Sequence, residues 1–78
     1  MGKHLVKARN LKNLKAFGNH VKVLRESKKL TQEHLADLAG ISENTIAVLE
    51  SGMLNPTVAT CFEIAKALKI HPKTMFDF

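Results

Sequence analysis

The residues with the most chemical reach form one polar run, Ser42-Glu43-Asn44-Thr45, followed at a short distance by Ala47 and Val48. An asparagine amide carries a donor and an acceptor on one flat group, which matches adenine N6 and N7. A carboxylate such as Glu43 can accept from cytosine N4, and the Thr45 methyl, Ala47 and Val48 suit thymine methyls. Each also has a plainer use. Ser42 can serve only as a helix cap, Glu43 only as a first-turn acid, and Ala47 and Val48 as core or as part of a protein interface.

The other reactive side chains do not converge. His4, His20, His34 and His71 show no i, i+4 or cysteine-paired spacing, so no metal site is expected. Cys61 is the single cysteine and falls on the apolar face of a helical pattern, which makes it core rather than nucleophile. There is no glycine-rich phosphate loop and no Ser/His/Asp set that so short a chain could gather around a pocket. An enzyme, a cofactor and a small-molecule effector are therefore not expected.

With 78 residues the chain has room for one small domain. Such a domain buries about 60% of the surface its unfolded chain exposes. A lone cysteine and no secretory leader point to a reducing, cytoplasmic setting, and no apolar run reaches the length of a membrane span. Charge is polarised along the chain. Residues 1–29 hold nine Lys and Arg against one acid, Glu26, whereas residues 30–65 hold five acids and no Lys or Arg. A basic front of this kind fits a nucleic-acid partner as well as a merely solvated surface.

The elements that position the polar run are helical throughout. Leu14, Phe17, Val21 and Leu24 recur at spacings of three and four, which predicts a first helix over 14–28. Gly18 lies inside it, where it can let another helix come close. Thr31 is an N-cap type with Glu33 in the following turn, and Gly40 ends a second helix whose inner face is Leu35, Ala36, Leu38 and Ala39. Ser42 caps a third helix in which Ile46 and Leu49 point inward, Ile41 stands in the staple position and Gly52 closes the run. Only Gly40, Ile41 and Ser42 separate these two helices, the helix-turn-helix spacing. Thr57 caps a fourth helix over 58–68 with Val58, Cys61, Phe62, Ala65 and Leu68 on one face. Pro72 opens a short fifth, with Met75 and Phe76 turned back toward the core. No strand pattern competes. The expected fold is all-α, a compact five-helix bundle over residues 14–78, preceded by a basic, partly ordered arm over residues 1–13.

From Phe17 to Phe78 the chain resembles a phage-repressor-type helix-turn-helix domain of the Cro/C1, or XRE-like, family. The stretches that carry the resemblance are LRESKKLTQEHLADLAGISENTIAVLESG, then NPT, then IAKALKIHPKTMF. Agreement over so many fixed offsets is far more specific than a lone short motif. The resemblance implies binding to double-stranded DNA, usually as a homodimer on two half-sites, with residues 43–51 in the major groove. It implies that Gln32 holds a phosphate and that Arg25 and Glu50 form a partly buried salt bridge. Family members often carry Arg, Lys or Gln at the places of Glu43 and Val48, and Lys or Arg at those of Met53 or Leu54; here they do not.

The expected DNA-facing set is thus Gln32, Ser42, Glu43, Asn44, Thr45 and Val48, with Lys28 and Lys29 beside the motif. Further phosphate contacts are expected from Lys22 and from the arm, through Lys3, Lys7, Arg9, Lys12 and Lys15. Met53, Leu54 and Phe78 are apolar in excess of what a monomer needs to expose and are candidates for the dimer contact. The expected function is a sequence-specific transcriptional regulator that acts as a repressor. The alternative is the same fold used as a protein-interaction module, which the acidic, apolar third helix favours.

Overall fold

A computed structural model describes residues 8–78. The chain forms four α-helices, α1 (Ala8–Ser27), α2 (Gln32–Ala39), α3 (Glu43–Glu50) and α4 (Val58–Leu68), and a 3-10 helix over Pro72–Phe76. Among the described residues there is no strand. The expected fifth helix is therefore a 3-10 helix. Pro72 stands at its start and Asp77 at its end, so only five residues are available, and the i to i+3 bonds of a 3-10 turn close within that length. The first helix starts at Ala8 rather than Leu14. Leu11 is half-buried and extends the Leu14 stripe upstream, with no helix breaker in between. Residues 8–13 of the expected arm are thus helical, and residues 1–7 lie outside the described residues.

One chemistry begins the three later α-helices. Thr31, Ser42 and Thr57 hold extended backbone, and each side-chain hydroxyl accepts the N–H three residues on, at 3.0, 3.0 and 3.1 Å. One geometry also ends all four. After α2 the Gly40 N–H donates to Asp37 O and the Ile41 N–H to Ala36 O, the paired bonds of a Schellman ending. The same pairs recur at Lys29 and Leu30, at Gly52 and Met53, and at Lys69 and Ile70. The left-handed residue is glycine in two cases and lysine in two: φ is 73° at Gly40, 84° at Gly52 and 59° at both Lys29 and Lys69.

The core gathers Phe17 and Val21 of α1, Leu35, Ala36 and Ala39 of α2, Ile46 and Leu49 of α3, Cys61, Ile64, Ala65 and Leu68 of α4, and Met75. Three residues expected inside are out. Leu38 is 61% exposed, Val58 69% and Phe62 53%. On α4 the buried face is Cys61, Ile64, Ala65 and Leu68, spaced i, i+3, i+4 and i+7, and this leaves Val58 and Phe62 at its margin. Phe76 stacks on Phe17 with centroids 5.3 Å apart, and Phe78 lies 5.9 Å from the same ring, so both return to their own chain while staying more than half exposed.

Gly18 and Gly52 set how closely α1 approaches α3. A Cβ on Gly18 would collide with the Leu49 carbonyl and stand 2.9 Å from that of Glu50. A Cβ on Gly52 would come within 2.7 Å of Lys15 Cα, at a φ already in the left-handed region. At the C-terminal end of α3 backbone thus presses against backbone, and this end of α3 is held at a fixed distance from α1.

Burial raises the Cys61 thiol above its ordinary range, because a thiolate would be desolvated there. The unfolded chain then ionises at lower pH than the folded one. This contribution to stability is whole below the unfolded thiol's pKa and declines as pH rises past it. The stability difference between the parent and Cys61→Ala is expected to shrink as pH rises from neutral into the alkaline range. Denaturant melts of both proteins across that range measure it, and the lysines common to both cancel.

Candidate nucleic-acid interface

The exposed side of α3 begins at its cap. Ser42, Glu43 and Asn44 are exposed, and Thr45, Ala47 and Val48 are half-buried. Ser42 Oγ accepts the Thr45 N–H at 3.0 Å and lies 2.8 Å from Thr45 Oγ1. One hydroxyl donates to the other, so the pair keeps one O–H free to donate outward, and the Thr45 methyl remains a contact group. Glu43 and Asn44 enter no side-chain hydrogen bond among the described residues. The exposed polar groups at the start of the helix are thus the Glu43 carboxylate, the Asn44 amide and the one free hydroxyl of the Ser42–Thr45 pair, with Ala47 and Val48 half-buried one turn on.

Behind this surface lies an ion pair that ties three elements together. Arg25 of α1 meets Glu50, the last residue of α3, in a two-pronged contact: Nε donates to Oε2 at 2.7 Å and Nη2 to Oε1 at 3.0 Å. The Arg25 side chain is 9% exposed and that of Glu50 3%. The third guanidinium nitrogen, Nη1, donates to the Leu30 carbonyl at 2.7 Å, in the turn that leads into α2. Glu26 stands 3.9 Å from Arg25 at the solvated edge. The Glu50 carboxylate, by accepting from the guanidinium, raises the Arg25 pKa, against the opposing effect of burial. The family-implied pairing of Arg25 with Glu50 is present in full.

Sequence reasoning missed a fourth member of this network. Gln32, the first residue of α2, donates from Nε2 to Glu50 Oε1 at 3.0 Å. A carboxylate can only accept, so the amide must turn its NH2 inward. Gln32 thus has one N–H committed to Glu50 and one remaining. Its offset of 18 residues from Glu50 carries no periodic signal, and only the packing of α3 against α2 brings the two together. Lys28 and Lys29 are exposed in the turn just before Gln32. No group of His, Cys, Asp or Glu among the described residues can hold a metal ion, and no helix among them is long and apolar enough to cross a membrane.

Residues 21–74 match the HTH_3 family model, described as helix-turn-helix. The chain is 41% identical over 56 residues to the HTH-type transcriptional regulator y4dJ of Sinorhizobium fredii, covering 72% of this chain and 73% of that one. It is 40% identical over 58 residues to the HTH-type transcriptional repressor RghR of Bacillus subtilis, and 38% identical over 53 residues to the immunity repressor of Bacillus phage phi105. Those matches cover 73% and 68% of this chain but only 43% and 37% of the two repressors. Among solved structures, the restriction-modification controller protein C.AhdI from Aeromonas hydrophila superimposes with a TM-score of 0.82 at 34% identity, covering 83% of this chain and 98% of that one. With the capped α2–turn–α3 unit and the Arg25–Glu50 tie in place, the chain belongs to the Cro/C1-type helix-turn-helix family of DNA-binding transcriptional regulators.

Proposed function

We propose that the protein is a repressor that binds a specific operator as a homodimer, with α3 in the major groove. The observation that carries this reading is the exposed Glu43-Asn44 pair at the start of a helix whose distance from α1 and α2 is locked by Glu50. Asn44 bonds adenine, Glu43 takes a cytosine amine, and Val48, Ala47 and the Thr45 methyl pack on thymine methyls. Ser42 acts chiefly as the cap that aims these residues. Gln32 offers its remaining N–H to a phosphate, next to the opening N–H groups of α2.

Since α3 carries no Lys or Arg, the bulk of the phosphate attraction comes from Lys22, Lys28 and Lys29 and from the basic residues of the 1–13 segment. Dimerisation uses the apolar side formed by Val58, Phe76 and Phe78, where a 250 Å3 groove opens over Phe17 and Cys61, together with the exposed Met53. Leu54 is half-buried against the core and contributes less. The protein works in the cytoplasm and is not an enzyme.

Titration of the duplex upstream of its own gene at several salt concentrations tests this function. Each phosphate neutralised contributes about −0.9 to the log–log salt slope. Removing residues 1–12 is expected to weaken binding and to flatten the slope by several such steps. An unchanged slope would remove the arm from the interface. The lack of a cation on α3 favours a second reading, a protein-interaction module. Absence of binding even at low salt would select it.

A further inference from the structure

A second groove lies away from the apolar side assigned to dimerisation. It runs between the turn that joins α1 to α2, the outer side of α2 and the C-terminal end of α4, and encloses 230 Å3. Its floor is apolar, built from Leu30, Leu38, Ala67 and Leu68, and its rims are the lysines Lys28 and Lys69. Leu38 stands 61% exposed beside it, although α2 already has a buried face in Leu35, Ala36 and Ala39. No acid is among the lining residues.

The backbone makes one of the two rim lysines, Lys69, harder to treat as ordinary surface. Lys69 takes a left-handed φ of 59°, and so does Lys29, the neighbour of Lys28. Glycine holds the same ending without strain at Gly40 and Gly52, so at these two sites the chain keeps a side chain where the geometry disfavours one. A cation at a helix C-terminus suits the dipole. In α4, however, Lys66 already stands in the last turn and fills that role.

We propose that this groove is a docking site for an acidic amphipathic segment of a partner protein. A leucine-like side chain of the segment enters over Leu38 and Ala67, and carboxylates on either side of it meet Lys28 and Lys69. Charge complementarity selects the acidic segment, and the apolar floor selects a peptide over nucleic acid, whose phosphates would gain nothing from Leu30, Leu38 and Leu68. The groove contains no residue of α3, although it shares Lys28 with the proposed phosphate contacts, and it stands whether or not α3 reads bases.

The test is an amide-resolved NMR titration of the full chain with a synthetic helical peptide that carries leucines at three- and four-residue spacing flanked by glutamates. Two control peptides replace the leucines by serine or the glutamates by lysine. Saturable shifts at Leu30, Leu38 and Lys69 with the acidic amphipathic peptide alone are expected. Leu38→Ser and Lys69→Gly should each weaken binding about tenfold, the loss of a central anchor. Lys69→Gly should melt at or above the parent temperature, which separates a docking loss from a folding loss. The proposal fails if no saturable shift occurs, if the serine control binds equally well, if both variants bind as the parent does, or if only duplex DNA shifts these amides.

Discussion

Replacing Glu50 by alanine should destabilise the protein by about 3–5 kcal/mol, the cost of stranding a buried charge. The Arg25 side chain is 9% exposed and directs three nitrogens at Glu50 and the Leu30 carbonyl. Without the carboxylate, Nε and Nη2 lose their acceptors, the guanidinium keeps its charge, and Gln32 Nε2 loses its partner as well. At about 0.05–0.15 kcal/mol per residue, a domain of this size has roughly 4–12 kcal/mol to lose, so E50A removes between about a quarter and all of that margin.

Removing both charges should do much less harm. Arg25→Met with Glu50→Leu fills the site with apolar volume and leaves no buried ion, which is often close to neutral. Denaturant midpoints of the parent, single and double variants measure the contrast. The raised Arg25 pKa fixes the sign of any pH effect from its side of the pair. The contribution is fully present below the unfolded guanidinium value and is lost only as pH rises past it, so Arg25 adds no pH dependence near neutrality. The double variant has a further use. It keeps the fold while freeing Gln32, and if the carboxylate positions that amide for phosphate, DNA affinity falls although stability does not.

Gly18→Ala is the second large effect, and its sign is informative. In an exposed helix interior, alanine in place of glycine gains about 1 kcal/mol. Here the new methyl meets the carbonyls of Leu49 and Glu50, which are backbone and cannot turn aside. Overpacking of this kind costs up to about 3 kcal/mol, so a net loss of up to about 2 kcal/mol is expected. A calorimetric melt of the variant reads the sign directly, and a gain in stability would show that α1 and α3 stand further apart. The same shift would tilt α3, so DNA binding should suffer beyond what the unfolded fraction explains.

Helix boundaries were legible where side chains announce them. Thr31, Ser42 and Thr57 are recognisable caps, and Gly40 and Gly52 are recognisable ends. The ends at Lys29 and Lys69 carry no such mark, because lysine enters the left-handed region only at a cost that tertiary packing overrides. The start of α1 at Ala8 was hidden for the opposite reason, since Leu11 extends an apolar stripe through residues too basic to look like core. Periodicity placed Val58 and Phe62 inside because it finds the direction of an apolar face but not the width that a neighbouring helix covers. The Arg25–Glu50 pair was legible through family resemblance alone. The Gln32 bond that completes it needs three-dimensional proximity and has no sequence signature. For the reading surface, residue types named the candidates. In the structure Asn44 and Glu43 enter no side-chain hydrogen bond among the described residues, whereas Ser42 and Thr45 share one, a pairing that residue types alone do not reveal.

The central claim is that α3 reads bases through Asn44, Glu43 and methyl contacts, without an arginine-to-guanine pair. Selection of bound duplexes from a random pool, run in parallel with the parent and with Asn44→Ala, tests it most directly. The account predicts a two-fold symmetric site in which one adenine position per half-site is strongly preferred by the parent and relaxed in the variant, a loss of about 1–3 kcal/mol of discrimination there. A site dominated by guanines contacted from α3, or one identical for parent and variant, would contradict it.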